Sequence, residues 1–405
     1  MDLKQNKTFC MAPWVHTYIG PDNRRNLCCV SNINFDENQE LKDAWNSNKI
    51  KNVRKKMLNG EEIEECYRCD PDAEHSYRKY WNYKFSDKIG DVISKTNQEG
   101  EFSGLPISVD YRTNICNFKC KTCNEIFSSS IHQEYHKLGL ISDDHAEYHS
   151  NILANNGRII KNEIDFLIEN SEIVDMYWAG GEPLHFKEHW ESLEKLINLN
   201  KSENVYLRYS SNLSTLTWKN NHLLDFIDKF KFTELYCSLD GTSDIGEWVR
   251  TNLIYGNFLN NLKQIVDYKN ANPNKIKVVI QPVLTLPTLI DLPNLNKLAN
   301  DNDVLLEIQE PFNTNKLLNP RSYPKSIMSE IYTDVKQKLA VQNGYNTEFV
   351  LRYIDNLEDK EHIDEITSED KTKLEFLEIN RPQKNIKFLD IISVNENLKN
   401  FYLNL

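Results

Sequence analysis

Three cysteine thiols stand within eight residues at Cys116-Asn117-Phe118-Lys119-Cys120-Lys121-Thr122-Cys123. This C-x3-C-x2-C spacing lets one loop bend round a single metal centre, and thiolates are the soft ligands that zinc and iron–sulfur clusters select. A closed structural zinc site takes four ligands. A four-iron cluster held by three cysteines keeps one iron open to a small molecule. The spacing also differs from the C-x2-C-x2-C-x3-C run of bacterial electron carriers. A second chemical stretch lies downstream, where the strand-like run Ile173 to Trp178 ends in Ala179-Gly180-Gly181-Glu182-Pro183. Two glycines at a strand's end permit unusual backbone angles and close approach to a ligand, although Gly-Gly before Glu-Pro is also ordinary turn chemistry.

The cysteine loop resembles the signature of radical S-adenosylmethionine (radical SAM) enzymes, and the Gly180–Pro183 segment resembles the GGEP motif of the same family. The resemblance implies a [4Fe-4S] cluster on Cys116, Cys120 and Cys123, with S-adenosylmethionine (SAM, AdoMet) at its open iron. It also implies that Gly180, Gly181, Glu182 and Pro183 hold the methionine end of SAM. Thr122 departs from the family, which usually carries an aromatic residue there. Ser238-Leu239-Asp240-Gly241, followed by Arg250, is similar to a further family pattern that implies SAM contacts for Ser238, Asp240 and Arg250. Arg250 as an exposed loop residue is the bland alternative. Cys237, in phase with Leu235 and Leu239, reads as a core cysteine.

Five of the nine cysteines fall in the first 90 residues. Val15, Thr17 and Ile19 alternate as a strand, Gly20-Pro21-Asp22-Asn23 turns, and a return strand delivers Leu27-Cys28-Cys29. Leu41 to Leu58 reads as an amphipathic helix ending before Gly60, and Cys66-Tyr67-Arg68-Cys69-Asp70 follows. Cys10, Cys28, Cys66 and Cys69 supply four thiolates, which close a zinc site or saturate an iron–sulfur cluster; spacing does not separate the two. The Cys-Met-Ala-Pro-Trp opening, the Cys-Cys pair and the C-x2-C resemble the auxiliary-cluster modules called twitch or SPASM domains. That resemblance implies a second [4Fe-4S] cluster and ranks Cys28 ahead of Cys29 as a ligand. It differs in order, because the module usually follows the radical SAM domain. His16 reads as a packed or exposed strand histidine, with a substrate or cluster role as the alternative.

The elements that must position these groups alternate. Residues 105–312 carry strand runs at 107–110, 173–178, 205–209, 234–239, 277–283 and 304–310, separated by helical runs at 128–138, 159–170, 187–198, 221–230, 255–268 and 289–300. Such alternation is the mark of a parallel α/β layer, and in parallel barrels ligands gather at the strands' C-terminal ends. Six strands match the partial (β/α)6, TIM-like barrel of the radical SAM family. The expected organisation is a cysteine-rich α+β module at 1–90, a linker at 91–104, the partial barrel at 105–312 and a mainly helical C-terminal extension at 313–405.

At 405 residues the chain is long enough for a large and a small domain, and 40% hydrophobic residues are compatible with a real core. A formal net charge of −12 disfavours nonspecific binding to nucleic acid or anionic membranes. Met1 to Thr8 is polar, without a signal-peptide core, and no run of about 18 apolar residues exists to span a membrane. Clustered C-x2-C spacings are not a disulfide scaffold, so a reducing cytoplasm is expected. The resemblance implies a radical SAM oxidoreductase or modifying enzyme. Such an enzyme reductively cleaves SAM to a 5′-deoxyadenosyl radical, abstracts a substrate hydrogen atom, and oxidises or cross-links a peptide or small molecule. A low-potential donor such as flavodoxin or ferredoxin would supply electrons. The alternatives are a zinc-binding, non-catalytic interaction protein and a degenerate family member that binds a cluster without turnover.

Overall fold

The computed structural model describes residues 6–33, 40–69, 76–311, 315–361, 363, 365–382 and 386–405. Of the segments read from the sequence, residues 1–5, 34–39, 70–75, 312–314, 362, 364 and 383–385 lie outside these, among them the expected boundary at 312/313. The architecture is mixed α/β with mostly parallel strands, and the chain divides into two compact units. The first comprises Met1–Ile115, Tyr135–Tyr209 and Asp225–Thr233; the second comprises Cys116–Glu134, Ser210–Leu224 and Glu234–Leu405.

In the first unit the strands run in the order β2-β1-β3-β4-β5, with β1 His16–Ile19, β2 Arg25–Asn26, β3 Ser108–Arg112, β4 Asp175–Ala179 and β5 Tyr206–Ser211. β1 and β2 form the expected antiparallel hairpin, with Ile19 opposite Arg25. β1 also pairs in parallel with β3, His16 opposite Ser108 and Tyr18 opposite Asp110, so the cysteine-rich N-terminus extends the same sheet. β3–β4 and β4–β5 are parallel too.

Strand side chains alternate between faces. One face carries Val109, Tyr111, Met176, Trp178, Leu207 and Tyr209, all buried. Glu163 on helix α3 (Asp143–Asn170; two of the helices before it are α1, Asn48–Asn59, and α2, Tyr77–Lys84) reaches that layer. It accepts from Thr17 Oγ1 (3.1 Å), Arg25 Nη1 (3.1 Å) and Tyr111 OH (2.9 Å), tying the hairpin to the helix. The other face is polar. Asp175 accepts from Ser108 Oγ (2.6 Å) and takes both Nε and Nη2 of Arg208 (3.0 and 2.8 Å), with Lys84 of α2 as a further cation. Burial would raise this carboxyl's pKa, but Arg208 and Lys84 outweigh it and hold Asp175 below the usual carboxylate range.

Among the helices that differ from their sequence-based bounds, two do so for plain local reasons. The stretch 41–58 is two helices, Leu41–Ala44 and α1, because Ser47 caps the second by accepting from the Ile50 amide. α3 begins at Asp143 rather than 159, since Ser142 caps it and two aspartates occupy its first turn, a start that apolar periodicity cannot reveal. Helix α4 spans Lys187–Asn198 as expected. The expected linker 91–104 holds the end of the helix Ile89–Ser94 and a Thr96–Phe102 bridge.

In the second unit the strand order is β6-β7-β8, from Phe232–Cys237, Ile276–Ile280 and Leu305–Leu306, and β7–β8 is parallel. β8 is far shorter than the expected 304–310 run. Helices α5 (Tyr255–Ala271) and α6 (Leu286–Asp301) belong here, followed by α7 (Lys325–Ala340), α8 (Tyr345–Asp359) and α9 (Ser368–Asn380). The acidic stretch 355–378 divides between α8 and α9, the latter opened by a Thr367–Asp370 capping box. Among the described residues no helix is long and apolar enough to cross a membrane.

Candidate functional site

The cysteine loop belongs to the second unit and is pinned along its length. The Cys116 carbonyl accepts from Ser130 Oγ at 2.6 Å, and its amide donates to Ser129 Oγ at 3.2 Å. Asn117 accepts from Asn212 Nδ2 (2.9 Å) and donates to Ser214 Oγ (3.0 Å), so the polar residues after β5 hold the loop's second position. Lys119–Cys120 forms a two-residue ribbon with Arg250–Thr251, Cys120 opposite Arg250. The Cys123 amide then turns back to the Cys120 carbonyl at 3.2 Å.

Burial raises the Cys120 thiol pKa and pushes Cys123 up to about 12, while the Arg250 charge pulls both down. Metal binding at such thiols releases protons, which couples loading to pH. Arg250 is itself buried, which opposes its charge, but Asp240 outweighs that and holds the guanidinium above its usual range. The pair is close, Nε to Oδ2 2.9 Å and Nη2 to Oδ1 3.0 Å, and Asp240 Oδ1 also accepts the Val283 amide at 2.8 Å. Asp240 and Arg250 therefore act first on each other and on the ribbon, not as an exposed loop pair. Ser238 is half-buried, with its amide on the Ser211 carbonyl (2.8 Å), and Cys237 is buried as a core cysteine.

The glycine segment lies in the first unit. Gly180 and Gly181 both take left-handed φ, +70° and +53°. A Cβ on Gly180 would stand 2.9 Å from the Thr113 carbonyl oxygen and from Arg112 Cβ. On Gly181 it would stand 2.4 Å from the Ile115 carbonyl oxygen. Both glycines are thus required by backbone angle and by space. Glu182 is fully buried; its amide donates to the Ile115 carbonyl at 2.7 Å, and its carboxylate caps the turn Pro183–His185 through the Leu184 amide at 3.1 Å. Glu182 and Pro183 therefore shape the turn, and the segment they shape lies on residues 112–115, whose next residue along the chain is Cys116.

The N-terminal cysteines also belong to the first unit. Burial pushes Cys10 up to about 12, with Cys66 and Cys69 adding to the rise. Cys66 goes up to about 11 through burial, Cys69 again adding. Cys28 rises well above its ordinary value through burial, then through Cys29, Cys10 and Cys66. Cys10, Cys28, Cys66 and Cys69 thus share one electrostatic neighbourhood. Cys29, the first of these charges to act on Cys28, is itself raised by burial, against Arg112 and with Asp110 adding, and has a hydrogen bond with Tyr77. The Cys69 sulfur accepts the Arg78 amide at 3.3 Å. Among the described residues, no three His, Cys, Asp or Glu side chains converge closely enough to hold a metal ion as they stand. His16 is a packed strand histidine, 3.0 Å from Ser108 Oγ and with its ring 4.2 Å from that of Trp81.

Sequence reasoning missed Arg381 and Glu134. Arg381 Nη1 donates to the carbonyls of Lys119 and Cys120, 3.2 Å each, and the guanidinium pairs with Glu134 at 2.6 Å. Neither belongs to a motif, and the only sequence signal was a lone arginine ending an apolar-acidic helix.

Residues 10–70 match the model of SPASM, an iron–sulfur cluster-binding domain. A search of curated proteins finds no match. Among solved structures the chain is similar to native anSMEcpe with bound AdoMet, at 16% identity and a TM-score of 0.37, over 69% of this chain and 68% of that one. It is also similar to native anSMEcpe with bound AdoMet and the Cp18Cys peptide, at 17% identity and a TM-score of 0.36, over 71% and 69%. A third is Streptococcus suis SuiB bound to S-adenosylmethionine, at 14% identity and a TM-score of 0.36, over 79% of this chain and 59% of that one. The family match agrees with the resemblance drawn from the sequence, in which a SPASM-like module is part of a radical SAM enzyme. Cys10, Cys28, Cys29, Cys66 and Cys69 fall inside the matched stretch.

Proposed function

We propose that this chain is a radical SAM enzyme that cleaves AdoMet reductively, removes a hydrogen atom from a substrate, and oxidises or cross-links a peptide or small molecule. The observation that carries the reading is the Glu182 amide on the Ile115 carbonyl at 2.7 Å. It seats two left-handed glycines against the segment that runs directly into a three-thiol loop. The donor set fits a four-iron cluster: Cys116, Cys120 and Cys123 are three soft ligands, and a fourth position is left for a small molecule. When bound there, that cluster supplies the one-electron chemistry that AdoMet cleavage needs.

The chain's own residues supply placement. The glycines, lacking Cβ atoms, let backbone approach the methionine end of AdoMet. Asp240 fixes Arg250, and Arg250 fixes the strand opposite Cys120. Ser238, half-buried at the end of β6, is the further AdoMet contact in this reading. The strands are taken as a partial (β/α)6 barrel over 105–312, preceded by the module at 1–90 and closed by the helices of 313–405. Cys10, Cys28, Cys66 and Cys69 are the ligands of an auxiliary [4Fe-4S] cluster that accepts or relays the electron left on substrate. Cys28 ranks ahead of Cys29 on the family resemblance. A low-potential flavodoxin or ferredoxin in the cytoplasm is the electron source, and the net charge of −12 argues against a nucleic-acid or membrane partner.

The test is anaerobic reconstitution with iron and sulfide counting, followed by incubation with AdoMet and dithionite. About eight irons for two four-iron clusters, with release of methionine and 5′-deoxyadenosine, are expected. A colourless protein carrying zinc, or a loaded protein that leaves AdoMet intact, would sink the reading.

A further inference from the structure

The backbone of the cysteine loop is gripped from two sides, and one grip comes from the far end of the sequence. Arg381 follows α9 directly, and its side chain is completely buried. One edge of its guanidinium, Nη1, donates to the carbonyl oxygens of Lys119 and Cys120, both at 3.2 Å. The other edge, Nε and Nη2, meets Glu134 Oε2 at 2.6 Å, and the second oxygen of Glu134 takes Lys119 Nζ at 3.0 Å. Arg381 thus spans the ribbon backbone and a carboxylate on the helix Ser129–Lys137.

The segment that carries Arg381 is itself anchored beside the loop. Glu378 Oε1 accepts from Trp248 Nε1 (2.9 Å) and from the Phe388 amide (2.6 Å), and the Trp248 and Phe388 rings stack at 5.7 Å. Lys121 completes the junction, donating to the Trp248 carbonyl at 2.6 Å with its ammonium 4.3 Å from the Trp248 ring centre. Residues 119–121 are therefore held by Trp248 and the strand Arg250–Thr251 on one side and by Arg381 on the other.

A guanidinium cannot lose its proton in a protein, so this is a permanent positive charge beside the backbone of a thiol-bearing residue. Its planar fork reads two carbonyls and a carboxylate at once, which an ammonium cannot copy. Reduction potentials of thiolate-held clusters follow net charge, hydrogen bonding and burial around the sulfurs. We propose that Arg381 is a positioning residue for the cysteine loop, fixing the Lys119–Cys120 backbone and, through its fixed charge, setting the reduction potential of the cluster held by Cys116, Cys120 and Cys123. The inference rests on reading those cysteines as cluster ligands, and it assigns the C-terminal extension a part in the redox site.

The experiment uses the full chain as wild type, Arg381→Lys and Arg381→Met. In metal-free protein, mass spectrometry follows iodoacetamide alkylation of Cys120 and Cys123. Losing the charge-assisted contacts should speed it about tenfold in Arg381→Met, with a comparable rise in Arg381→Lys, which keeps the charge but loses the fork. In reconstituted protein, EPR-monitored titration reads the wave that disappears when Cys116, Cys120 and Cys123 are all changed to Ala. That wave should move to more negative potential in Arg381→Met and stay near wild type in Arg381→Lys. Should Arg381→Met fail to fold by circular dichroism, Arg381→Lys decides alone, since it must show faster alkylation with an unmoved potential. Unchanged alkylation in either variant, or an unmoved potential in a folded Arg381→Met, overturns the proposal. A wild-type loop that takes up no cluster overturns the ligand reading and the potential-setting role together, and the alkylation arm still decides whether Arg381 positions the loop.

Discussion

The Glu182 amide reaches the Ile115 carbonyl at 2.7 Å, so a turn after one strand is bonded to the residue just before the first loop cysteine. One backbone hydrogen bond therefore ties the Gly180–Pro183 turn to the segment that follows β3. A change that lifts the glycine turn breaks that bond.

Gly181→Ala tests the turn. The added Cβ would meet the Ile115 oxygen at 2.4 Å with φ at +53°, against 2.9 Å contacts for the equivalent change at Gly180. Left-handed strain in a non-glycine residue costs about 1–3 kcal/mol. AdoMet affinity of the reconstituted Gly181→Ala protein, read by calorimetry, should fall about tenfold or more for such an energy, and further than in Gly180→Ala. Equal, unchanged affinities in both would mean the glycines serve only the turn.

Replacing Cys116, Cys120 and Cys123 together by Ala should remove one cluster and all AdoMet cleavage while the N-terminal cluster remains. The two cysteine groups belong to different compact units, so each should load without the other. Iron counting is the measurement, and loss of all iron would contradict separate sites.

The legible part of this protein was the part written in local spacing. The C-x3-C-x2-C loop, the Gly-Gly turn and α4 could be read because each signal lies within about a dozen residues. The hairpin 16–26 was readable for the same reason, whereas its parallel pairing of His16 with Ser108 joins residues remote in sequence and leaves no local trace. Asp240 and Arg250 were singled out as ligand contacts, yet their mutual ion pair was not visible, because spacing does not tell which charges face each other. Arg381 illustrates the limit most sharply. Its partners Lys119, Cys120 and Glu134 are fixed only by tertiary packing.

Acid should destabilise the metal-free protein through two buried histidines. Burial lowers His16 and His189 from 6.5 to about 3, with Asp175 partly opposing the shift at His16. Both stay neutral in the fold, while the unfolded chain takes up their protons below pH 6.5. Stability is then full above 6.5 and falls as pH drops, by about 1.4 kcal/mol per pH unit for each histidine. Urea unfolding at pH 7.0 and 5.5 measures it. In His189→Gln the pH dependence should shrink by that residue's share, and an unchanged slope would remove His189 from the account.

Glu163 should be a costly acidic residue to remove from the first unit. It gathers Thr17, Arg25 and Tyr111, and the Arg25 side chain is only 5% exposed. Glu163→Ala leaves that guanidinium buried without its carboxylate, a loss of about 3–5 kcal/mol. An exposed control, Glu172→Ala, should stay within about 0.5 kcal/mol. Comparable denaturation midpoints for the two variants would show that the hairpin does not depend on the Glu163 hub.

Cys66 and Cys69 separate an electron-accepting cluster from a structural prop. With Cys10 and Cys28 they make four thiols, leaving no vacant ligand position for AdoMet. Changing both to Ala should let AdoMet cleavage with dithionite continue while product formation is lost or uncoupled from it. Folding is the competing explanation, since a metal site contributes to the stability of the segment that holds it. The hairpin here is also held by the sheet, through β1–β3 pairing, and by Glu163. The first unit should therefore survive the change, with an unaltered circular dichroism spectrum and the loop cluster intact by iron count. With both controls met, an undiminished product yield would remove the electron-accepting role and leave the module a docking or structural element.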